Sequence, residues 1–425
     1  MSEPARRLVI AYAFPPYADT SGIVAAKRVL ARGEAVDLLQ NEMDSIRPVD
    51  PTLEMIAGHL VWRRGILRTP TRFSGWHSIV EWCQEGRRHT EQWIAESAER
   101  GELLEGTRLP WSTLYSRAHF IASHFLAALI KIDHPELEWE AEFSDPCSRD
   151  VTGSERFSPA ADDELRGQMA AAVSAAGFTP PESDNANLWV EQVAYALADR
   201  IVFTNENQAE YMIGLIEDPA LAARVRERAT VSHHPEPPER FYRVSDVHLD
   251  VDPGRVNIGY FGNVYGTRSL VPLLDAVALL DETDRSRLAL YIYTSSAEEL
   301  QEDVARRGIG DVVHVHPFVS YFDHLALTTQ LDVLLAVDAL RPENAPANPF
   351  LVSKWSDYKG SGRAIWLMYE ETSVLARLDH PALVYRTPTD HTSAALQLLA
   401  RLARTDPGVV RHSVEHQRAE PLGSG

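Results

Sequence analysis

The sequence predicts an α/β fold of two doubly wound, Rossmann-like domains that face a central cleft. The first observation is length, because 425 residues exceed one ordinary domain of roughly 150 residues. The second is the apolar run at residues 8–14, which is typical of a buried parallel strand. The third is a regular alternation of six apolar strand patterns with helical patterns after residue 255, which indicates a parallel sheet.

The first predicted domain covers residues 1–232. Its opening strand leads through PPYADTSG into a helix and a second short apolar run, the start of a βαβ unit. Residues 47–110 hold scattered tryptophans in polar sequence and are expected to form one or two helices. The remaining elements are a strand at STLYSR, a helix at HFIASHFLAALIKI, a strand at LEWEAEF, a helix near 163–175, a helix at NLWVEQVAYALADR and a strand at IVF.

A linker is predicted at residues 233–254, where prolines cluster between periodic segments. The second domain covers residues 255–405. Its predicted strands are VNIGYFGNV, LALYIYT, VVHVHPFV, DVLLAVD, AIWLMY and ALVYRT, with helices between them, including one near 350–361. The tail, residues 406–425, is expected to fray.

Composition limits the classes of partner that the protein can bind and the cellular compartment in which it is expected. The formal charge of -20 repels phosphate backbones and anionic lipid surfaces, so nucleic-acid binding is not expected. Two cysteines outside any CxxC pair favour a reducing, cytoplasmic location. Neither a signal peptide nor an apolar run of ~18 residues is evident, so membrane association is expected to be peripheral at most, at the inner membrane face.

Two motifs after strands carry the predicted chemistry, because ligands of open parallel sheets bind at the carboxyl ends of the strands. In FLVSKWSDYKGSGR, Lys354 and Asp357 are three residues apart and share one face of a helix, where they could hold a phosphate and a ribose. In GYFGNVYGTRSL, Gly262 allows close approach of a ligand and Arg268 begins a helix that favours an anion. The alternatives are a surface ion pair and an ordinary βα turn.

Together, FPPYADTSG, EFSDP, VFTNEN, GYFGNVYGTRSL and SKWSDYKGSGR resemble the GT-B glycosyltransferases, in particular the retaining family 4 group. The resemblance implies sugar transfer from a nucleotide-diphosphate sugar to a hydroxyl acceptor, with retention at the anomeric carbon, without a metal and without a bound cofactor. It also implies that Arg268 and Lys354 neutralise the donor diphosphate, that Asp357 binds the ribose and that Gly22 contacts the phosphates. The donor-binding candidates are Gly22, Gly262, Asn263, Arg268, Ser353, Lys354 and Asp357.

The sequence departs from that family at two places. Pro349 stands where many relatives have the first Glu of a Glu-x7-Glu pair, and EFSDP stands where many have a histidine. Asp145 is therefore the first catalytic candidate, and a simple turn at Asp145-Pro146 is its alternative. His119 and His124 are further candidates, although a histidine such as His124 in an apolar helix is more often packed in a core.

A metal site is not expected. The strand motif His314-x-His316 offers two ligands on one face but no third is evident, and the pair Asp250 and Asp252 lies in the linker. The predicted acceptor is a glycan, a lipid-linked glycan or a small metabolite, in polysaccharide, glycolipid or glycosylated-metabolite biosynthesis. Two alternatives stay open: a sugar-nucleotide epimerase of the same architecture, and a catalytically silent sugar-nucleotide-binding subunit.

Overall fold

The computed structural model describes residues 6–414, and the chain divides into two compact units between Pro235 and Glu236. Each unit is built around one parallel sheet with helices on both faces. The predicted α/β class of two doubly wound domains is thus confirmed for the architecture of each domain. The central strands of both sheets are apolar in sequence because helices cover them on both faces.

The sheet of the first domain has seven parallel strands in the order β3-β2-β1-β4-β5-β6-β7. They are β1 (Arg6–Ile10), β2 (Val36–Asn41), β3 (Val61–Leu67), β4 (Trp111–Ala118), β5 (Glu138–Phe143), β6 (Arg200–Phe203) and β7 (Ala229–Val231). The α-helices are α1 (Thr20–Arg32), α2 (Glu54–Ala57), α3 (Trp76–Glu99), α4 (Ala122–Asp133), α5 (Glu164–Ala175), α6 (Ala186–Leu197), α7 (Glu206–Gly214) and α8 (Pro219–Arg228). Short 3₁₀ helices at Pro51–Leu53 and Gly58–Leu60 flank α2.

The sheet of the second domain has six parallel strands in the order β10-β9-β8-β11-β12-β13. They are β8 (Val256–Phe261), β9 (Leu288–Thr294), β10 (Val313–Pro317), β11 (Val333–Val337), β12 (Ala364–Tyr369) and β13 (Tyr385–Pro388). The α-helices are α9 (Val271–Leu279), α10 (Glu282–Arg285), α11 (Ala297–Arg307), α12 (Tyr321–Thr328), α13 (Lys354–Tyr358), α14 (Val374–Arg377), α15 (Thr392–Ala403) and α16 (Pro407–Arg411).

In both sheets the strand order reverses once in the middle, between β1 and β4 and between β8 and β11. At such a reversal the chain segments that follow the two strands run to opposite faces of the sheet, which opens a crevice at the carboxyl ends of the two strands. The loops after β1, β4, β8 and β11 are therefore where each domain by itself offers a ligand site.

Three expectations differ from the structure. The segment 47–110 contains strand β3 besides a 24-residue helix. Most of the predicted linker packs on the second domain, where Phe241 and Tyr242 are buried in a 3₁₀ helix at Glu239–Arg243. The expectation that the tail frays is wrong for residues 406–414, because Val410 is buried in the second core and Arg411 pairs with buried Asp332 at 2.7 Å. The rest of the predicted tail, 415–425, lies outside the described residues.

Candidate functional site

In the first domain, the loop after β1 closes the N-terminus of α1 with the protein's own carboxylate. Asp19 Oδ1 accepts the backbone N–H groups of Ser21 at 2.9 Å and Gly22 at 3.0 Å. Asp19 Oδ2 pairs with Arg47 Nε at 2.8 Å. The amides that would receive a ligand anion at this helix end are therefore already engaged by Asp19.

The glycine at position 22 is required by packing. A Cβ atom there would lie 3.0 Å from the carbonyl carbon and oxygen of Ala13 and from the nitrogen of Phe14, all of them backbone atoms. The helix thus approaches the loop after β1 more closely than any side chain would allow. Whether Gly22 also contacts a phosphate stays a prediction.

His119 lies directly after β4 and is partly exposed. Its ring packs edge-on against Phe73 at 5.2 Å and Phe120 at 5.3 Å between centroids. Burial lowers the pKa of His119, while the carboxylates of Asp19 and Asp145 act in the opposite direction. A partly exposed neutral histidine can accept or donate a hydrogen bond at this strand end.

Asp145 lies at the neighbouring strand end, after β5, and is exposed. Ser144 ties this loop to the end of β4, since its Oγ donates to the carbonyl of Ala118 at 2.6 Å. Asp145 and His119 therefore belong to the same polar edge of the first sheet. Their catalytic roles stay predictions.

His124 lies in α4 and is fully buried in the core of the first domain. Its Nδ1 is 2.8 Å from the hydroxyl of Ser116, which also accepts the indole N–H of Trp139 at 2.8 Å. Burial lowers the pKa of His124 to about 3. This is the packed, hydrogen-bonded alternative that the sequence left open, so we leave His124 out of the site.

A buried charge network near this edge was not predicted from the sequence. Glu142 of β5 is fully buried and bonds the guanidiniums of Arg28, at 3.0 Å, and Arg117, and also the hydroxyl of Tyr115 at 2.8 Å. Burial alone would raise the pKa of Glu142, but Arg117 and Arg28 lower it to about 2. Arg28 also donates to the hydroxyl of Ser232 at 2.7 Å, which fixes the chain that follows β7. The signal in the sequence was a glutamate within the apolar pattern of a strand.

In the second domain, the loop after β8 forms a tight turn that carries Arg268. Tyr265 and Arg268 exchange two backbone hydrogen bonds, of 3.1 and 2.7 Å, and the guanidinium lies 5.2 Å from the centre of the Tyr265 ring. The prediction that Arg268 begins a helix is wrong, because α9 begins at Val271, with Pro272 in its first turn. The guanidinium is instead held by the turn, at the reversal point of the sheet.

Two adjacent polar groups in this turn are buried without a partner. Within residues 6–414, neither the Arg268 Nε nor the Thr267 hydroxyl has a hydrogen-bond partner, and both atoms are buried. Buried donors are paired in more than nine cases in ten, so an unpaired set calls for an explanation.

Asn263 and Gly262 shape the start of the same loop. Asn263 is exposed and its Oδ1 accepts the hydroxyl of Ser295, after β9, at 2.7 Å. The hydroxyl of Tyr260 donates to the Asn263 carbonyl at 2.9 Å, and a Cβ atom on Gly262 would lie 2.9 Å from that same hydroxyl. The glycine therefore lets the loop fold back over Tyr260.

The second motif forms the short helix α13, with Ser353 directly before it. Lys354 Nζ lies 3.8 Å from Asp357 Oδ2, as expected for residues three apart on a helix. Asp357 is buried, and its Oδ1 accepts the hydroxyl of Tyr321 at 3.3 Å, whereas the Lys354 side chain is 27 % exposed. The carboxylate is thus fixed by its surroundings and the ammonium lies at the surface.

Tyr358 and Asp338 connect the two motifs. The Tyr358 hydroxyl accepts the N–H of Phe261 at 3.0 Å. Burial raises the pKa of Tyr358, with the Asp357 carboxylate raising it further and Arg268 lowering it, so both charged groups act on the same phenol. Asp338 lies directly after β11. Burial raises the pKa of Asp338 to about 6, and the nearby charge of Arg268 acts in the opposite direction. Asp338 and Thr267 were not predicted, although polar residues at strand ends were the right signal.

Candidate metal ligands do not cluster in the part of the chain that is described. No group of three His, Cys, Asp or Glu side chains suited to a metal ion is found among residues 6–414. The rings of His314 and His316 pack on Tyr291 and Tyr293, at 5.3 and 4.9 Å between centroids. No described helix has both the length and the apolar character that crossing a membrane would require.

Comparison with known proteins identifies the fold. No protein-family model and no curated protein sequence matches the chain. Solved structures do match over nearly its full length. The glycosyltransferase WaaG of lipopolysaccharide biosynthesis has a TM-score of 0.54 at 11 % identity, covering 98 % of this chain and 96 % of its own. Sucrose-phosphate synthase from Thermosynechococcus elongatus has a TM-score of 0.54 at 12 % identity, covering 97 % and 94 %.

A third match, the putative UDP-N-acetylglucosamine 2-epimerase of Listeria monocytogenes, has a TM-score of 0.52 at 10 % identity, covering 97 % of this chain and 91 % of its own. The chain therefore has the GT-B fold, as the sequence resemblance implied. At these identities the likeness establishes architecture, and the activity has to be argued from the site.

Proposed function

We propose that this chain is a glycosyltransferase that moves a sugar from a nucleotide-diphosphate sugar to a hydroxyl acceptor. The observation that carries the proposal is the guanidinium of Arg268, held by the turn after β8 at the strand-order reversal of the second sheet of a GT-B fold. A pyrophosphate supplies anionic oxygens that suit a guanidinium and a hydroxyl. The crevice at a strand-order reversal is where nucleotides bind in doubly wound sheets.

Arg268 and Lys354 would act on the leaving group. When the bond between the anomeric carbon and the phosphate oxygen breaks, its electron pair stays on that oxygen, and negative charge grows on the diphosphate. Fixed cations stabilise this charge without a metal ion. The acceptor oxygen bonds to the anomeric carbon on the same face, with retention, and its proton passes to the leaving phosphate oxygen.

Asp357 would bind the ribose hydroxyls. Its carboxylate is buried and held by Tyr321, so it is oriented before a ligand arrives. Gly262, Asn263 and Ser353 would line the donor, the first two in the loop after β8 and the third before α13. A preorganised acceptor of hydrogen bonds costs little entropy on binding.

The first domain would supply the acceptor side. Asp145 is the candidate beside the reacting sugar, and His119, at the neighbouring strand end, is the second. The acceptor would be a glycan, a lipid-linked glycan or a small metabolite, which places the protein in polysaccharide, glycolipid or glycosylated-metabolite biosynthesis. We propose a cytoplasmic location, because both cysteines, Cys83 and Cys147, are free and buried.

Turnover with sugar nucleotides and a panel of hydroxyl acceptors tests the proposal. R268A and K354A should each lower kcat on the order of a hundredfold, the usual effect of removing one group that stabilises the departing charge. R306A is the matched control, because Arg306 is 72 % exposed on α11 of the same domain. Unchanged kcat in both site variants would refute the assigned roles.

A reaction without acceptor separates the alternatives. A transferase leaves most of the donor intact, whereas an epimerase converts it to a second sugar nucleotide. Tight nucleotide binding without turnover on any acceptor would indicate the catalytically silent subunit. Anomeric configuration of the product, read by NMR, distinguishes retention from inversion.

A further inference from the structure

The second domain has a pocket that the proposed diphosphate contacts do not use. It lies at the carboxyl ends of β11, β12 and β13, with a volume of about 410 Å³. Small-molecule sites occupy roughly 300–1,000 Å³, so this pocket has room for one sugar unit.

The walls combine hydrogen-bonding groups with apolar surface. Arg341, Glu371, Thr389 and Asp390 contribute polar groups, and Tyr369 contributes a ring, with further apolar surface from Leu340 and Pro388. A sugar presents hydroxyls around its rim and C–H groups on its faces. Carboxylates and a guanidinium can pair with the rim, while the apolar walls cover a face.

The charges of the pocket favour some sugars over others. Three carboxylates, of Glu370, Glu371 and Asp390, line it together with the guanidinium of Arg341 and the imidazole of His391, whose Nε2 lies 3.6 Å from Asp390 Oδ1. Arg341 Nε lies 3.8 Å from Glu370 Oε1, so its charge is directed to Glu370. Glu371 and Asp390 are exposed. An acidic sugar would meet excess negative charge, whereas a neutral or amine-bearing sugar would not.

The pocket borders the strand end where Arg268 acts. The N–H of Glu370 donates to Asp338 Oδ2 at 3.2 Å, and the hydroxyl of Ser373 donates to the same oxygen at 2.6 Å. The N–H of Leu340, in the pocket wall, donates to the carbonyl of Thr267, the residue before Arg268, at 2.6 Å. Pocket and guanidinium therefore occupy adjacent strand ends of one sheet edge.

We propose that this pocket receives the sugar of the nucleotide-diphosphate sugar and selects neutral or amine-bearing sugars over uronic acids. The inference rests on the proposed function, because it assumes that the diphosphate binds at Arg268. It adds the sugar class, which the diphosphate contacts leave open, and it gives Glu371 and Asp390 the role of hydrogen-bond acceptors for sugar hydroxyls.

The test is binding of matched ligands by isothermal titration calorimetry. The probes are UDP, GDP, ADP and TDP, the glucose conjugate of each, and UDP-glucuronate. The variant is E371Q/D390N, which keeps size and removes two charges at exposed positions. The control is E298Q/E299Q, which removes two exposed charges from α11 of the same domain.

We expect E371Q/D390N to bind the glucose conjugate at least tenfold more weakly, with unchanged affinity for the free diphosphate, since two charge-assisted hydrogen bonds become weaker neutral ones. The control variant should match the wild type, and UDP-glucuronate should bind more weakly than UDP-glucose. If the diphosphate binds but the variant leaves the conjugate's affinity unchanged, or the glucuronate binds as tightly, the sugar pocket is overturned and the proposed function stands. If no diphosphate binds to the wild type, both fail.

Discussion

Replacing Gly22 by Ala tests the packing role of this glycine at the start of α1. The new Cβ would lie 3.0 Å from three backbone atoms of Ala13 and Phe14, a distance tighter than nearly all real Cβ contacts. Backbone cannot yield as a flexible side chain can, so we expect a loss of about 1–3 kcal/mol in the free energy of unfolding. With a urea m-value of about 3 kcal/mol/M, the midpoint should fall by roughly 0.3–1 M.

Tryptophan fluorescence is a suitable probe for this measurement. Seven of the nine tryptophans precede residue 235, so the signal reports chiefly on the first domain. The matched control is G167A, since Gly167 lies in α5 with no atom within 4 Å of the position that a Cβ would occupy. That variant should be stabilised by about 0.5–1 kcal/mol through helix propensity. An unchanged midpoint for G22A would refute the packing argument.

Three further predictions concern buried polar groups. E142Q should lower the free energy of unfolding by about 3 kcal/mol at pH 7. The pKa of Glu142 is depressed to about 2 from an ordinary 4.5, so its carboxylate contributes stability that is present above pH 4.5 and lost as pH falls toward 2. Urea midpoints at pH 7 and pH 3 check this, and E138Q, at an exposed position and expected within 0.5 kcal/mol of wild type, is the control. The pKa of Asp338 is raised to about 6 from 3.8, so ionisation of this carboxyl lowers the stability of the folded state as pH rises from about 4 to 6. D338N should therefore stabilise the second domain by up to about 3 kcal/mol at pH 7 and not at pH 4. Hydrogen exchange of β11 measures this, and equal effects of D338N at both pH values would contradict it. Y358F should cost about 1–3 kcal/mol by leaving the Phe261 N–H unpaired in the interior, and an unchanged urea midpoint for the second domain would show that the hydrogen bond does not matter.

The sequence predicted the strands that are apolar runs. The run LALYIYT is β9, residue for residue, and DVLLAVD contains β11, because a strand covered on both faces must be apolar throughout. The edge strand β3, VWRRGIL, was missed for the opposite reason. Its Trp62 is 56 % exposed, and Arg63 and Arg64 pair with Asp37 of β2 and Glu54 of α2, so the pattern carries no continuous apolar signal.

The sequence predicted which residues form the candidate site better than it predicted how they are arranged. Lys354 and Asp357 could be placed on one helical face because their spacing fixes it. Arg268 was placed at a helix start, but the turn closed by its backbone bonds to Tyr265 delays the helix by three residues. The burial of His124 depends on how α4 packs against β4 and β5, which periodicity alone does not determine.

The carboxylates that sequence reasoning did not identify make contacts with segments that are distant along the chain. Glu142 is fixed by Arg28, 114 residues earlier in the chain, and Asp338 is held by Ser373. Such pairs have no local signature, because parallel strands bring together residues separated by whole crossover units. A polar residue inside or directly after an apolar strand is the one indication that the sequence offers.

The most direct test of the account is whether the turn after β8 binds a pyrophosphate. Thermal unfolding of the wild type should be measured with UDP, GDP, ADP and TDP and with the corresponding monophosphates, and then repeated with R268A and R306A. At 100 times its dissociation constant a diphosphate should stabilise the wild type and R306A by about 2.7 kcal/mol, with a smaller effect for the monophosphate and for R268A at the same concentrations. No stabilisation by any diphosphate, or equal stabilisation of R268A, would contradict the central claim.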